Sequence, residues 1–220
     1  MGLTLSNGWA YGVSVDTETS GLGRAARVVQ IAALRFRCRW DDARSELDIE
    51  FSSAYRLLTL VRPPPGTWFD PGAVRVTGID AARVREAPSF AAISDRLQEV
   101  VADLPIVAHN APFDRRMIAG EFDHLGGTPP EVEWICSMQA AKSRGHTKAA
   151  LSVVASALRI KPEGGLHDAG VDAELAARVY GTLVKPGSSI TTELGFRPPA
   201  ERRGRPFPSS PPSGGWGMGR

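Results

Sequence analysis

Residues 10–21 read AYGVSVDTETSG. Tyr11, Val13 and Val15 alternate with small or polar residues, the period-two pattern of a strand with one buried face. That period places Asp16 and Glu18 together on the opposite face, near the strand's end. Two carboxylates a few ångströms apart repel each other unless a cation lies between them. Their neighbours Thr17, Thr19, Ser20 and Gly21 bring no positive charge. A strand running into a polar turn would also explain the pair, so the D-x-E alone assigns no function.

Working outward, residues 28–36 (VVQIAALRF) are apolar and β-branched and predict a second strand. A third is expected within 51–61, ended by Pro63, Pro64 and Pro65. Residues 88–103 place Phe90, Ile93, Leu97 and Val100 at helical spacing. PIVAH (105–109) predicts a short buried strand. Asn110 is expected to cap a helix that carries Phe113, Met117 and Leu125 and stops at Gly126 and Gly127. A short strand near 132–136, helices near 137–144 and 148–159, and a last helix over about 168–184 complete the domain. Three strands first, then helices alternating with two more, predict an α/β domain on a mixed sheet. From Lys185 onward Pro, Gly, Ser and Arg dominate without periodicity. The organisation expected is a domain over 1–184 and a disordered tail over 185–220.

The chain has 220 residues, 42% of them hydrophobic, enough for one globular core. Its formal net charge is only +2, and the charge is unevenly placed. The tail holds six basic residues against two acidic ones, so the body is slightly acidic. A body of that kind can hold a polyanion only if something neutralises phosphate locally, and bound cations would do so. Cys38 and Cys136 form no C-x-x-C pair and suggest no disulfide framework, so a reduced, cytoplasmic setting is expected. The first residues show neither a basic region nor a long apolar run, so no secretory leader is expected. No segment approaches the ~20 apolar residues of a membrane span.

Two further acids stand out. Asp172 shares the face of the last helix with Leu175 and Val179, a costly place for a carboxylate unless it is paired or metal-bound. Asp114 falls in the first turn of the helix after Asn110. The helix dipole favours acids near helix starts and offers a plain explanation for both. Taken together, Asp16, Glu18, Asp114 and Asp172 lie at strand ends or helix starts, where sites on α/β sheets form. Four oxygen ligands suit Mg²⁺ or Mn²⁺, and the lack of a His/Cys cluster argues against zinc. His167 stands five residues before Asp172, beside Gly164 and Gly165 in an expected mobile loop. Imidazole changes charge near neutral pH and can take a proton from an attacking water.

VDTETSG (15–21), VAHNAPFD (107–114) and HDAGVDA (167–173) closely resemble the three motifs of the DnaQ-like DEDDh exonuclease family. Val76-Thr77-Gly78-Ile79 is similar to the family's Gly-Ile loop. The resemblance covers roughly residues 10–183. It implies an RNase H-like fold, with a mixed five-stranded sheet and helices on both faces. It also implies a metal-dependent 3′→5′ exonuclease that releases nucleoside 5′-monophosphates. Two divalent cations, Mg²⁺ or Mn²⁺, would be bridged by Asp16, with Glu18 and Asp172 completing one site and Asp114 the other. His167 would act as general base. Asn110 and Thr17 would support the site, by capping and by a substrate contact respectively, and His109 would be structural. Pro112 and Cys136 depart from common family residues, but neither replaces a ligand.

The substrate expected is the 3′ end of single-stranded DNA, in proofreading or repair. Trimming of RNA ends or oligoribonucleotides is the alternative, because telling the two apart depends on a 2′-OH contact that spacing does not reveal. A non-catalytic nucleic-acid-binding module is the alternative from another class, disfavoured by the complete set of acids and His167. Gly21-Leu22-Gly23-Arg24-Ala25-Ala26 matches a dinucleotide fingerprint, but that motif requires a helix directly afterwards and residues 28–36 read as strand. The arginines of the tail could hold phosphate or tether the domain to a polymerase or sliding clamp; a solvated terminus is the simpler reading.

Overall fold

The computed structural model describes residues 4–6, 9–43, 46–184 and 216–217. In chain order its strands are β1 (Thr4–Ser6), β2 (Trp9–Thr19), β3 (Val28–Asp41), β4 (Glu46–Leu60), β5 (Ile106–Ala108), β6 (Trp134–Cys136) and β7 (Trp216–Gly217). Its helices are α1 (Pro71–Thr77), α2 (Phe90–Val101), α3 (Ala111–Leu125), α4 (Ser137–Ser143), α5 (Leu151–Ala157) and α6 (Ala169–Leu183). The sheet order is β6-β5-β2-β3-β4, with β1 added to the start of β2 and β7 to β4. β2, β3 and β4 are antiparallel neighbours, whereas β5 and β6 run parallel to β2. The mixed five-stranded sheet expected from the sequence is therefore present. The tail expected from Lys185 lies outside the described residues, apart from the two residues of β7.

Side-chain alternation decides the layers. Val13 and Val15 of β2, with Ile31 of β3, pack against Phe90, Ile93 and Leu97 of α2 and Met117, Ile118 and Phe122 of α3. Phe90 and Phe122 meet edge to face at 5.4 Å, a favoured aromatic geometry. The opposite face receives α4, α5 and α6, where Phe36, Cys38 and Val107 contact Leu175, Val179 and Tyr180. Small residues bring α6 close to the sheet: Ala169 and Ala173 pack on Ala32 and Leu34. A Cβ on Gly170 would lie 2.9 Å from Leu58, so this glycine sets how near the helix start approaches β4.

Two differences from the sequence reading have clear causes. β3 runs to Asp41 rather than ending near residue 36, and β4 begins at Glu46. Arg35, Arg37 and Arg39 alternate with Phe36 and Cys38, so the apolar run becomes a ladder with one charged face. Arg37 pairs with Glu50 at 2.6 Å and Arg39 with Asp48 at 3.0 Å across the strands. Both guanidinium groups stack on Trp9. Helix α1 was not anticipated. Asp70 caps it by accepting from the Gly72 and Ala73 amides, Pro71 starts it, and Gly78 ends it at φ 68°.

One buried ion pair joins the two halves of this frame. Glu121 of α3 accepts from Arg27 Nε at 2.9 Å, from Arg27 Nη2 at 2.5 Å and from the Val28 amide at 3.0 Å. Both side chains are nearly buried. Removing one partner leaves an uncompensated charge. Glu121→Ala is expected to lower unfolding free energy by roughly 3 kcal/mol, read as a reduced urea midpoint at unchanged slope.

Candidate active site

The end of β2 sits between β3 and β5, with α6 above one face and α3 beside the other. Asp16 pairs in register with Ala32 and Glu18 with Gln30, so both carboxylates emerge on the side covered by α6. The register shifts after Glu18, where the strand leaves the ladder. The turn is then closed locally. The Thr19 hydroxyl donates to the Gly21 carbonyl at 2.6 Å, and the Ser20 amide donates to the Arg27 carbonyl at 2.9 Å.

Asp114 reaches the same strand from the first turn of α3. Its Oδ1 accepts from the Thr17 amide at 3.0 Å and from the Thr17 hydroxyl at 2.8 Å. Thr17 is buried, and its hydroxyl is engaged by this carboxylate. Asp172 enters from the first turn of α6. The His167 amide donates to its Oδ2 at 3.1 Å, while its buried Oδ1 has no hydrogen-bond partner. Glu18, His167 and Asp172 each offer one ligand atom, and these atoms lie within 4.8 Å of one another. That cluster could hold a metal ion; it contains two of the four expected ligands, and His167 in addition.

The electrostatics bind all four acids into one system. Burial raises Asp16 well above the usual carboxylate range, and Asp114, Glu18, Asp172 and Asp168 add repulsion in that order. Burial also raises Glu18 to about 7, with Asp172, Asp114 and Asp168 contributing. Asp114 rises to about 7 through burial, although the two Thr17 bonds pull it back. Asp172 is raised by burial and partly relieved by His167. No lysine or arginine among the described residues offsets Asp16 or Glu18. A buried carboxylate oxygen without a donor, in a nest of mutually repelling acids, is a donor set that fits a hard divalent cation.

Asn110 requires a correction. It stands at the cap position of α3, but at φ 67° and ψ 45°, and its side chain makes no capping bond. The residue tolerates the left-handed turn instead, and its side chain is exposed. His167 is likewise left-handed, at φ 64°, and exposed. His109 is held as a structural residue. Its Nε2 lies 2.7 Å from the Ala149 carbonyl and must donate, so its Nδ1 accepts from Ser137 Oγ at 2.8 Å. Burial lowers its pKa in keeping with that neutral state.

Two supporting residues were missed. Asp168 caps α6 through the Gly170 amide, and its Oδ2 accepts from Gln30 Nε2 at 3.0 Å. Gln30 Oε1 in turn accepts from the Ala169 amide at 3.2 Å. The amide thus clamps the start of α6 to β3, beside Glu18. The signals were there: an amide inside the apolar run VVQIAAL, and an Asp directly before a helix.

A family model for exonucleases of the RNase T type matches residues 13–180. The chain belongs to this exonuclease family. It is 26% identical over 180 residues to the DNA polymerase III subunit epsilon of Rickettsia conorii, covering 78% of this chain and 73% of that protein. It is 28% identical over 122 residues to the Escherichia coli subunit of the same name, covering 53% of this chain and 50% of that one. Among solved structures it resembles exonuclease X bound to 5′-overhanging duplex DNA, with a TM-score of 0.53 and 25% identity. That match covers 75% of this chain and 86% of the other. The fold also matches E. coli exonuclease I bound to an oligonucleotide, at a TM-score of 0.60 and 18% identity, over 77% of this chain and 39% of that one. This exonuclease places β3 directly after Gly21–Ala26, so the helix required by a dinucleotide fingerprint is absent there. No helix among the described residues is long and apolar enough to cross a membrane.

The raised carboxylates give a signed pH dependence. Glu18 and Asp114 sit near 7 when folded against ordinary values of 4.5 and 3.8. They bind protons more tightly folded than unfolded, so their contribution is full below the ordinary values and is lost as pH rises through about 7. The metal-free exonuclease should therefore melt lower at pH ~8 than at pH ~5, by roughly 4–8 °C for about 2 kcal/mol. Millimolar Mg²⁺ should recover that loss at the higher pH. A melting temperature that rises with pH in EDTA would sink the electrostatic account.

Proposed function

We propose that this exonuclease removes nucleotides from the 3′ end of single-stranded DNA in proofreading or repair, releasing nucleoside 5′-monophosphates. The observation that supports this best is the convergence of Asp16, Glu18, Asp114 and Asp172, from β2, α3 and α6, with His167 within reach of two of them. In this reading Asp16, Glu18, Asp114 and Asp172 would hold two divalent cations, Mg²⁺ or Mn²⁺. The fit rests on the unpartnered Asp172 oxygen and the lack, among the described residues, of an offsetting lysine or arginine at Asp16 and Glu18. When bound, such a pair stabilises charge on the attacking and leaving oxygens of a phosphoryl transfer.

The protein's own groups do the rest. His167 takes the proton from the attacking water. Its ring is exposed at the end of the 160–167 loop, and its backbone is tied to Asp172 by the 3.1 Å bond. Thr17 acts on the reaction by fixing Asp114 with two donors. Asn110, exposed and free of a capping bond, presents its amide to the substrate. Gln30 and Asp168 keep the start of α6 in place, and with it both His167 and Asp172.

The DNA preference follows the similarity to epsilon subunits of DNA polymerase III and to exonuclease X. Engagement of a polymerase or sliding clamp through residues 185–220 is part of the same proposal, as is a cytoplasmic setting.

The test uses 5′-labelled single-stranded DNA and the matching RNA, each with Mg²⁺, Mn²⁺ or EDTA. The expected result is a metal-dependent ladder shortening from the 3′ end, faster on DNA. Faster RNA shortening would move the enzyme to RNA-end processing. Asp16→Asn should lose at least ~10³-fold in kcat while keeping its fold by circular dichroism. His167→Ala should lose activity without losing cation-dependent stabilisation. A folded protein that shortens neither strand in any metal would overturn the catalytic reading in favour of a binding module.

A further inference from the structure

The loop between β4 and α1 displays an aromatic side chain that the site described so far does not use. Trp68 is 74% exposed, and its indole has no ring, cation or hydrogen-bond partner among the described residues. The exposure is built into the backbone around it. The Thr67 amide and hydroxyl both donate to the Pro64 carbonyl, at 3.2 and 2.7 Å, which closes a turn after the three prolines. Phe69 points inward and packs with Val29, Ile79 and Val84. The Asp70 amide donates to the Ser20 carbonyl at 2.7 Å, and the Asp70 carboxylate caps α1. With both neighbours anchored, the Trp68 side chain is left facing solvent.

The same hydrogen bond fixes where the indole stands. Ser20 lies two residues beyond Glu18, and Trp68 two residues before Asp70. Two residues of extended chain span ~7 Å, so the Trp68 backbone lies within roughly 20 Å of Glu18. Arg24, Arg62 and Arg75 are exposed on the flanking segments and form no ion pair with any described residue. An exposed aromatic face on an anchored turn, with unpaired arginines on the segments that lead to and from it, is the surface chemistry of single-stranded nucleic-acid binding. There, stacking is tolerant of sequence and arginine follows the backbone.

We propose that Trp68 is a stacking platform for an unpaired base of the strand whose 3′ end lies at Asp16 and Glu18. The proposal rests on the exonuclease reading above and adds a contact upstream of the reacting nucleotide. A substrate long enough to span from Glu18 to Trp68 gains affinity from the stack, and a dinucleotide does not. Trp68 is a binding residue here, so its contribution falls on KM rather than on kcat.

Steady-state kinetics with Trp68→Leu and Trp68→Phe test this on a long single strand and on a dinucleotide. Because the side chain is exposed, both variants should fold as the wild type does. The expected result is that Trp68→Leu raises KM for the long strand by roughly tenfold with kcat within about twofold. Trp68→Phe should recover most of that loss, and neither variant should change dinucleotide turnover. Unchanged kinetics for Trp68→Leu on the long strand would overturn the proposal and leave the indole to a protein partner. An equal loss on both lengths, not rescued by phenylalanine, would also overturn it. Wild-type protein that degraded neither substrate would remove the exonuclease reading and this contact with it. Wild-type activity without a Trp68 effect would remove the contact alone.

Discussion

Mutual repulsion among buried carboxylates is the constraint around which this protein is arranged. Asp114, Glu18 and Asp172 each raise the cost of ionising Asp16, and Asp172 and Asp114 do the same to Glu18. Such a cluster does not assemble by itself; the surrounding structure must hold it. Three devices restrain the four acids. Asp16 and Glu18 are fixed by the β2–β3 register, Asp114 by two donors from Thr17, and Asp172 by the His167 amide. None of these devices neutralises charge. They position the carboxylates and leave the compensation to something bound from outside.

Holding α6 against this repulsion requires close approach and a firm start. Ala169, Gly170 and Ala173 present almost no side chain to β3 and β4, so the helix axis comes near the sheet. The Gln30 amide bonds both to the helix cap Asp168 and to the Ala169 amide. The helix cannot slide without breaking that clamp. The entries to α3 and α6 carry a further cost: Asn110 and His167 adopt left-handed backbone that non-glycine residues avoid, at about 1 kcal/mol or more each. Each precedes a buried acid by four or five residues, Asp114 and Asp172 respectively, and both leave their side chains exposed. In each case the unusual backbone turns the side chain toward solvent while the next turn of helix faces inward.

Much of this was legible in the sequence. The alternation through Tyr11, Val13 and Val15, the apolar run from Val28 and the spacing of Phe90, Ile93 and Leu97 each lie on the element they predicted. Asp172 could be singled out because it broke an apolar stripe, whereas Asp16, Glu18 and Asp114 stood out only as a set at strand ends and helix starts. Less visible were features set by tertiary pairing. The extension of β3 depends on Glu50 and Asp48, which meet the arginines only once β4 has folded back. Helix α1 has only seven residues and none of them is buried, so hydrophobic periodicity could not mark it. The side chain of Asn110 was misassigned because the usual cap rule assumes extended backbone, and that turn is left-handed.

The arginines show why composition says little about where a polyanion would bind. Arg27 is enclosed by Glu121, and Arg37 and Arg39 by Glu50 and Asp48. Arg35 donates to the Glu99 and Val100 carbonyls at the end of α2, Arg83 to the Gly78 carbonyl at the end of α1, and Arg144 to the Leu183 carbonyl of α6. Arg96 is taken up by Glu99 and by carbonyls of β4. These side chains fasten strands and helix ends, and their charge is compensated where they stand. The carboxylate cluster is not compensated. A strand of phosphates approaching it would meet net negative potential unless divalent cations reversed the sign. The acids that make the site unwelcoming to nucleic acid are thus the same groups that would concentrate those cations. In that arrangement affinity for the substrate is conditional on the metal, and a protein with a formal net charge of only +2 needs no broad basic surface.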